Sequence, residues 1–281
     1  MSAFVQRSVH RLIRLALEED VGRGDVTTAA TVEAAVEAVG AIVARQPMVV
    51  AGLPIVTPIV EEAGIEATGF EIRSPEGMAV GSGTVIGELR GKAAGLLTIE
   101  RAALNFLQRM CGIATLTRRY VEAVKGTKAK IVDTRKTVPG WRLLDKYAVA
   151  VGGGANHRFG LDDGVLIKDN HIIASGGIRP AIERARRHAH HLMRIEIECE
   201  TMAEVDEALV AGVDAILLDN MSVAEIAAAV ARVGGRARVE ASGGVTLATV
   251  RQIAEAGPDL ISVGALTHSA PAADLAMELK I

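Results

Sequence analysis

Six segments between residues 130 and 268 share one design, an apolar run that ends in a polar or glycine tip. They are KIVDTRKT (130–137), GVLIKDNHI (164–172), RIEIECE (194–200), AILLDN (215–220), RVEASGG (238–244) and DLISVGALTH (259–268). The runs are rich in Val, Ile and Leu, as strands buried on both faces of a parallel sheet should be. Stretches between them, 201–212, 222–233 and 246–257, read as amphipathic helices. Strand then helix, repeated every roughly 20–30 residues, is the pattern of a β/α barrel, whose chemistry sits at the C-terminal ends of its strands. Every polar tip falls at that end.

The N-terminal third follows another pattern. Residues 8–20 place Val9, Leu12, Ile13, Ala16 and Leu17 on one helical face, and Gly22 and Gly24 stop that helix. From about 36 to 93, strand-like segments alternate with Gly- and Pro-rich turns, which predicts a small α+β sandwich ahead of the barrel. A long helical region, 96–126, bridges the two parts, with a break expected near Gly112. The expected domains are therefore 1–111 and 112–269.

Composition narrows the function. Apolar residues make up 49% of the 281, yet aromatics only 2%, so stacking platforms for single-stranded nucleic acid are lacking. A net charge of −3 gives no global basic footprint for DNA or RNA. Cys111 and Cys199 have neither disulfide-framework nor metal-site spacing and read as buried thiols in a reducing compartment. No run approaches the roughly 18 apolar residues of a membrane span, and the first residues lack a signal peptide's apolar region. The expected location is the cytoplasm.

Chemistry concentrates at the tips. Thr134, Arg135 and Lys136 end the first run, His157 and Arg158 follow a glycine run, and Lys168 ends the second strand. Convergent arginines bind carboxylates because the planar guanidinium fork matches the carboxylate fork, so this set suits a small polyanion. Taken singly, each is equally consistent with an ordinary surface charge. Glu198 and Asp219 end adjacent strands as hard oxygen donors suited to Mg²⁺ shared with substrate oxygens, or as charge partners of the lysines. Ser242, Gly243 and Gly244, with a helix expected from Thr246, and Gly264 after the last strand suit a phosphate cradle. Such glycines also simply turn chains. His171 and His268 stand at tips, whereas His10, His188, His190 and His191 lie on charged helical faces. Other nucleotide motifs fail: GGGANHRFG lacks the G-x-G-x-x-G spacing, and Gly91-Lys92 is followed by Ala.

Longer motifs carry a resemblance. EEDVGRGDVTT (18–28), ERAALNFLQRMCGIAT (100–115), DTRKTVPGWRLLDKYAV (133–149), GGGANHRFGLDDGVLIKDNHI (152–172), AILLDN, EASGGV (240–245) and SVGALTHSAPAADLAM (262–277) together resemble the quinolinate phosphoribosyltransferases across nearly the whole chain. The resemblance implies an α/β fold: an incomplete, TIM-like parallel β/α barrel with an N-terminal α+β sandwich domain and a C-terminal helix, 270–281, returning to that domain. It implies a homodimer with shared active sites, or a higher oligomer, acting on quinolinate and phosphoribosyl pyrophosphate (PRPP) with Mg²⁺. By residue, it implies that Arg101 reaches the quinolinate carboxylates from the neighbouring subunit, beside Arg135, His157, Arg158 and Lys168. Lys136, Glu198 and Asp219 then serve the ribose and Mg²⁺-pyrophosphate as catalytic residues, with Glu198 and Asp219 holding the metal directly or through water. Ser242, Gly243, Gly244, Gly264 and His268 serve the 5′-phosphate.

Rival readings are a paralogue with another acceptor, such as nicotinate, a Schiff-base lyase using Lys136 or Lys168, and a non-catalytic phosphate-binding barrel. A Schiff-base lysine needs an apolar pocket, whereas these two have cationic neighbours and prospective acidic partners.

Overall fold

The structure, a computed structural model, describes residues 3–281. The chain forms two compact units. The first comprises residues up to Arg118 with Thr137–Gly153 and Leu266–Ile281, and the second comprises Arg119–Lys136 and Gly154–Ala265.

In the first unit, α1 (Arg7–Val21) buries Val9, Ile13 and Leu17, one residue per turn, and ends where Gly22 adopts φ 53°. A short α2 (Val26–Thr31) follows, its N-terminus closed by Asp25, which accepts from the Thr28 amide. Then come β1 (Glu37–Ala44), β2 (Met48–Val49), α3 (Val56–Ala63), β3 (Ala67–Ile72), β4 (Ala79–Val80), β5 (Val85–Lys92) and the long α4 (Ala93–Ala123). The main sheet is antiparallel, in the order β12-β1-β5-β3, where β12 (Leu275–Lys280) is the last strand of the chain.

That last strand corrects the expected C-terminal helix. Leu275, Met277 and Leu279 alternate with Ala276, Glu278 and Lys280, a period of two that pairs antiparallel with β1. Gly40 opposite leaves room for Met277, whose sulfur would stand 2.8 Å from any Cβ built there. The expected helix break at Gly112 is also absent, since α4 runs unbroken through it. A Cβ at Gly112 would lie 2.1 Å from the Pro271 carbonyl oxygen, so this glycine serves close approach of the C-terminal segment. The expected 111/112 boundary thus falls inside a continuous helix.

Residues 137–153 belong to the first unit because of a buried ion pair. The helix α5 (Arg142–Val151), which follows β6 (Lys130–Val132) in the chain, carries fully buried Asp145. Arg109 of α4 grips it through Nε and Nη2 at 2.8 Å each, and Nη2 also donates to the Thr267 carbonyl.

The second unit alternates strand and helix: β6, β7 (Val165–Ile167), α6 (Asp169–Ser175), α7 (Ile178–His188), β8 (Ile195–Cys199), α8 (Met202–Ala211), β9 (Ala215–Asp219), α9 (Val223–Val233), β10 (Arg238–Ser242), α10 (Val250–Glu255) and β11 (Leu260–Ser262), before α11 (Ala265–His268). Thr201 and Ser222 each begin a capping box with a glutamate three residues on, which sets the starts of α8 and α9. All six strands run parallel in the order β6-β11-β10-β9-β8-β7. Consecutive strands are neighbours from β7 to β11, and the first strand, β6, closes on the last. The sheet is therefore a barrel open between β6 and β7. On the free edge of β6 a parallel bridge joins Val132 to Ala155.

Candidate active site

Strand periodicity decides which side chains meet. Ile197, Cys199, Ile216, Leu218, Val239 and Ala241 make one fully buried face of β8, β9 and β10. The alternate residues point to the opposite face, and the parallel register sets them in rows. Glu198 stands beside Leu217, which stands beside Glu240, and one row further toward the strand ends Asp219 stands beside Ser242.

These rows, with the loops after β6 and β7, enclose a cavity of about 220 Å³ lined by Thr134, Arg135, Lys136, His157, Arg158, Leu166, Lys168, Glu198, Leu217, Asp219, Glu240, Ser242 and Ser262. Nine of the fourteen residues expected from sequence line this one space. Gly243, Gly244 and Gly264 follow β10 and β11 in the same unit, whereas Arg101, exposed on α4, and His268, at the end of α11, belong to the first unit.

Each functional side chain has a local cause for its placement. Asp133, fully buried at the end of β6, accepts from the His157 amide at 2.9 Å and from Asn156 Nδ2 at 2.6 Å, which fixes the 155–158 segment beside the strand. The Arg158 amide points at His157 Nδ1 at 2.8 Å, and Nε2 faces Glu196 Oε2 at 3.1 Å. Both ring nitrogens are therefore engaged within the protein. Arg158 Nη1 donates to the Gly164 carbonyl at 2.9 Å. Burial, and then the positive charge of Arg135, hold the Arg158 guanidinium below its usual pKa.

At the strand tips Lys168 pairs with Glu198. This matched charge differs from the apolar setting a Schiff-base lysine requires. Asp219 accepts from Asn220 Nδ2 at 2.6 Å. Asn220 itself adopts φ 54° and donates its amide to the Ser242 carbonyl. A Cβ at Gly243, whose φ is 92°, would stand 2.2 Å from Asn220 Oδ1, so the first glycine of the SGG turn makes room for this neighbour. The helix expected from Thr246 begins only at Val250 and has six residues, because 246–249 close a turn in which the Thr249 hydroxyl accepts from the Thr246 amide. The SGG turn is therefore followed by a second turn, and the helix start lies six residues after Gly244. His171, also a tip histidine, accepts from the Lys168 amide at 3.0 Å and caps α6, and His10 pairs with Glu62 at 2.8 Å.

Sequence reasoning missed Glu196, Glu240 and Ser262. The two glutamates interrupt apolar runs, RIEIEC and RVEAS, at inward-facing positions. A carboxylate in mid-strand of a doubly buried sheet was the available signal. Glu240 is 1% exposed, and its carboxyl is pushed up to about 7. Burial is the main cause, followed by the nearby charge of Glu196, while His157 and the Ser262 hydroxyl pull the other way. Among the described residues no helix is long and apolar enough to cross a membrane.

Comparison with known proteins gives the family. The family model for the N-terminal domain of quinolinate phosphoribosyl transferase matches residues 25–111, and that for its C-terminal domain matches 113–278. Nicotinate-nucleotide pyrophosphorylase [carboxylating] of Mycobacterium leprae is 44% identical over 272 residues, covering 95% of either chain. A probable enzyme of the same name from Bacillus subtilis is 41% identical over 268 residues, covering 94% of this chain and 90% of its own. The crystal structure of nicotinate-nucleotide pyrophosphorylase from Ehrlichia chaffeensis superposes with a TM-score of 0.92 at 42% identity, covering 98% of this chain and 99% of that one. With both family domains matched in order along one chain, and the barrel-end cavity built from the residues its motifs carry, the chain belongs to the quinolinate phosphoribosyltransferase family.

Proposed function

We propose that this chain transfers the phosphoribosyl group of PRPP to the ring nitrogen of quinolinate, releasing pyrophosphate and CO₂ and yielding nicotinate mononucleotide for NAD synthesis. The observation that carries this reading is the cavity itself. Arg135, Arg158, Lys136 and Lys168 face the carboxylates Glu198 and Asp219 within one space at the barrel's strand ends. Two polyanionic substrates held side by side need such a concentration of fixed positive charge.

Arg135 and Arg158 suit the two quinolinate carboxylates, because guanidinium groups stay charged and grip two oxygens each. Burial and, after it, the charge of Arg135 disfavour the Arg158 cation, and both are offset when a dianion enters. Lys136 and Lys168 lie where pyrophosphate departs with the electron pair of the C1′–O bond. Positive charge then develops on the ribose C1′, opposite Glu198 and Asp219, and preorganised charges of this kind supply the largest part of such catalysis. The ring nitrogen attacks C1′ and becomes cationic. When the C2 carboxylate departs as CO₂ its electron pair stays on C2, stabilised as an ylide by the adjacent ring cation, and that carbon then takes up a proton. His157, with both nitrogens engaged, acts by shaping the cavity and holding Arg158 in place.

Hard carboxylate oxygens make Glu198 and Asp219 the residues suited to hold Mg²⁺, directly or through water. When bound, Mg²⁺ supplies charge neutralisation to the pyrophosphate. For Ser242, Gly243, Gly244, Gly264 and His268 we propose the 5′-phosphate, and for exposed Arg101 the quinolinate site of a second copy in a homodimer. The buried thiols of Cys111 and Cys199 suit a reducing cytoplasm.

The test is product formation from PRPP and Mg²⁺ with quinolinate and nicotinate supplied separately. Nicotinate mononucleotide and CO₂ from quinolinate alone support the reading. Turnover with nicotinate, or with neither, moves the chain to another acceptor.

A further inference from the structure

His157 and Glu240 share the cavity lining with the arginines and form, with buried Glu196, a group of three side chains from three separate elements. Glu196 of β8, Glu240 of β10 and His157 bring their ligand-type atoms within 4.8 Å of one another. Glu196 Oε2 stands 3.1 Å, and Glu240 Oε2 3.7 Å, from the same atom, His157 Nε2. The Arg158 amide points at His157 Nδ1, and of the two carboxylates at Nε2 Glu196 makes the shorter contact. Both Glu240 oxygens are buried without a well-formed hydrogen bond, and the Ser262 hydroxyl beside them offsets only a small part of that burial. A carboxylate there would be a desolvated anion beside a second anion, with Asp133 close behind. The remaining charged groups of the cavity are Arg135, Arg158, Lys136, Lys168, Glu198 and Asp219.

We propose that Glu240, a buried carboxyl lining the same cavity as Arg135 and Arg158, enters dicarboxylate binding as a neutral acid, and that its proton belongs to the quinolinate-bound state. This rests on the function proposed above. Ionised Glu240 would set a further negative charge in the same small cavity as the two guanidinium groups that the substrate dianion must reach. The carboxyl is already poised near neutrality, at about 7, so this charge appears within the working pH range. The sign follows directly. A bound dianion raises the Glu240 pKa further, so affinity is greatest while Glu240 is protonated and falls as pH rises through about 7. Between the free and the raised pKa, binding takes up part of a proton. Glu240 is thus a positioning residue whose charge state selects for the bound anion.

The experiment is calorimetric titration of quinolinate at about pH 6.5 and about pH 8.5, in buffers of different ionisation heat. Over this range the dicarboxylate itself stays ionised. The wild type should weaken by up to about tenfold at the higher pH, the equivalent of one pKa unit, and a third titration at about pH 7.5 should show uptake of about half a proton. Glu240→Gln, which keeps the shape and removes the titration, should show one affinity at both pH values and no proton uptake. The proton count on the wild type needs no variant to fold. Tight wild-type binding that is independent of pH, or proton uptake that survives Glu240→Gln, overturns the inference and leaves the function standing. A wild type that binds no quinolinate at either pH removes the proposed function and this inference together.

Discussion

Replacing Arg135 with alanine tests the carboxylate clamp most directly. Arg135 lines the cavity close enough to Arg158 for its charge to lower that neighbour's pKa, so both forks address one small volume. Hydrogen bonds to a charged group contribute about 1.5–3 kcal/mol each. A bidentate fork therefore places the loss at about 3–6 kcal/mol, offset in part because Arg158 no longer feels a like charge in the free protein. A net loss of about 3–4 kcal/mol weakens quinolinate binding by two to three decades, roughly. Arg135→Lys keeps the charge without the fork and should fall between, about tenfold weaker than wild type. Titration of each variant with quinolinate, and separately with PRPP and Mg²⁺, measures this. PRPP affinity should stay within about threefold of wild type, since the pyrophosphate end is assigned to the lysines. Equal losses for both substrates, or unaltered quinolinate binding, would refute the clamp.

Three further outcomes follow from particular contacts. Arg109→Ala strips buried Asp145 of its bidentate partner and should cost about 3–5 kcal/mol in denaturant unfolding; a loss under about 1 kcal/mol would mean the pair is not what ties 137–153 into the first unit. Gly112→Ala should destabilise by about 1–3 kcal/mol although alanine favours helix, because its Cβ meets the Pro271 carbonyl at 2.1 Å; hydrogen exchange should then rise in β12, and a more stable variant would contradict the close approach. Removing divalent metal with a chelator should abolish pyrophosphate release while leaving calorimetric quinolinate binding intact. Loss of both together would place the metal with the carboxylates instead.

Much of the second unit is legible in local pattern. Apolar runs of β-branched residues mark each strand of the barrel, and the residue that ends each run lands where chemistry occurs, so Lys168, Glu198, Asp219 and Ser242 can be read from position alone. Glu196 and Glu240 were as visible as letters, but period-two alternation says only that they share a face with the tips. Their approach to His157 depends on strand register and on the Asp133 anchor, which join residues 24 to 83 positions apart. Likewise the SGG turn is plain in sequence, yet the need for its first glycine comes from Asn220, 23 residues earlier and on a neighbouring strand.

The sequence by itself determined the alternation of strand and helix, the end of the barrel at which charge gathers, and the family, because these reside in short-range period and in contiguous motifs. Only the tertiary structure decided that the last residues are a strand, that Gly112 sits in an unbroken helix, and that 137–153 joins the first unit. Each depends on a partner remote in the chain: β1 for Leu275–Lys280, Pro271 for Gly112, Arg109 for Asp145. A six-residue segment has too few internal contacts to choose its own conformation, so the edge it pairs with makes the choice.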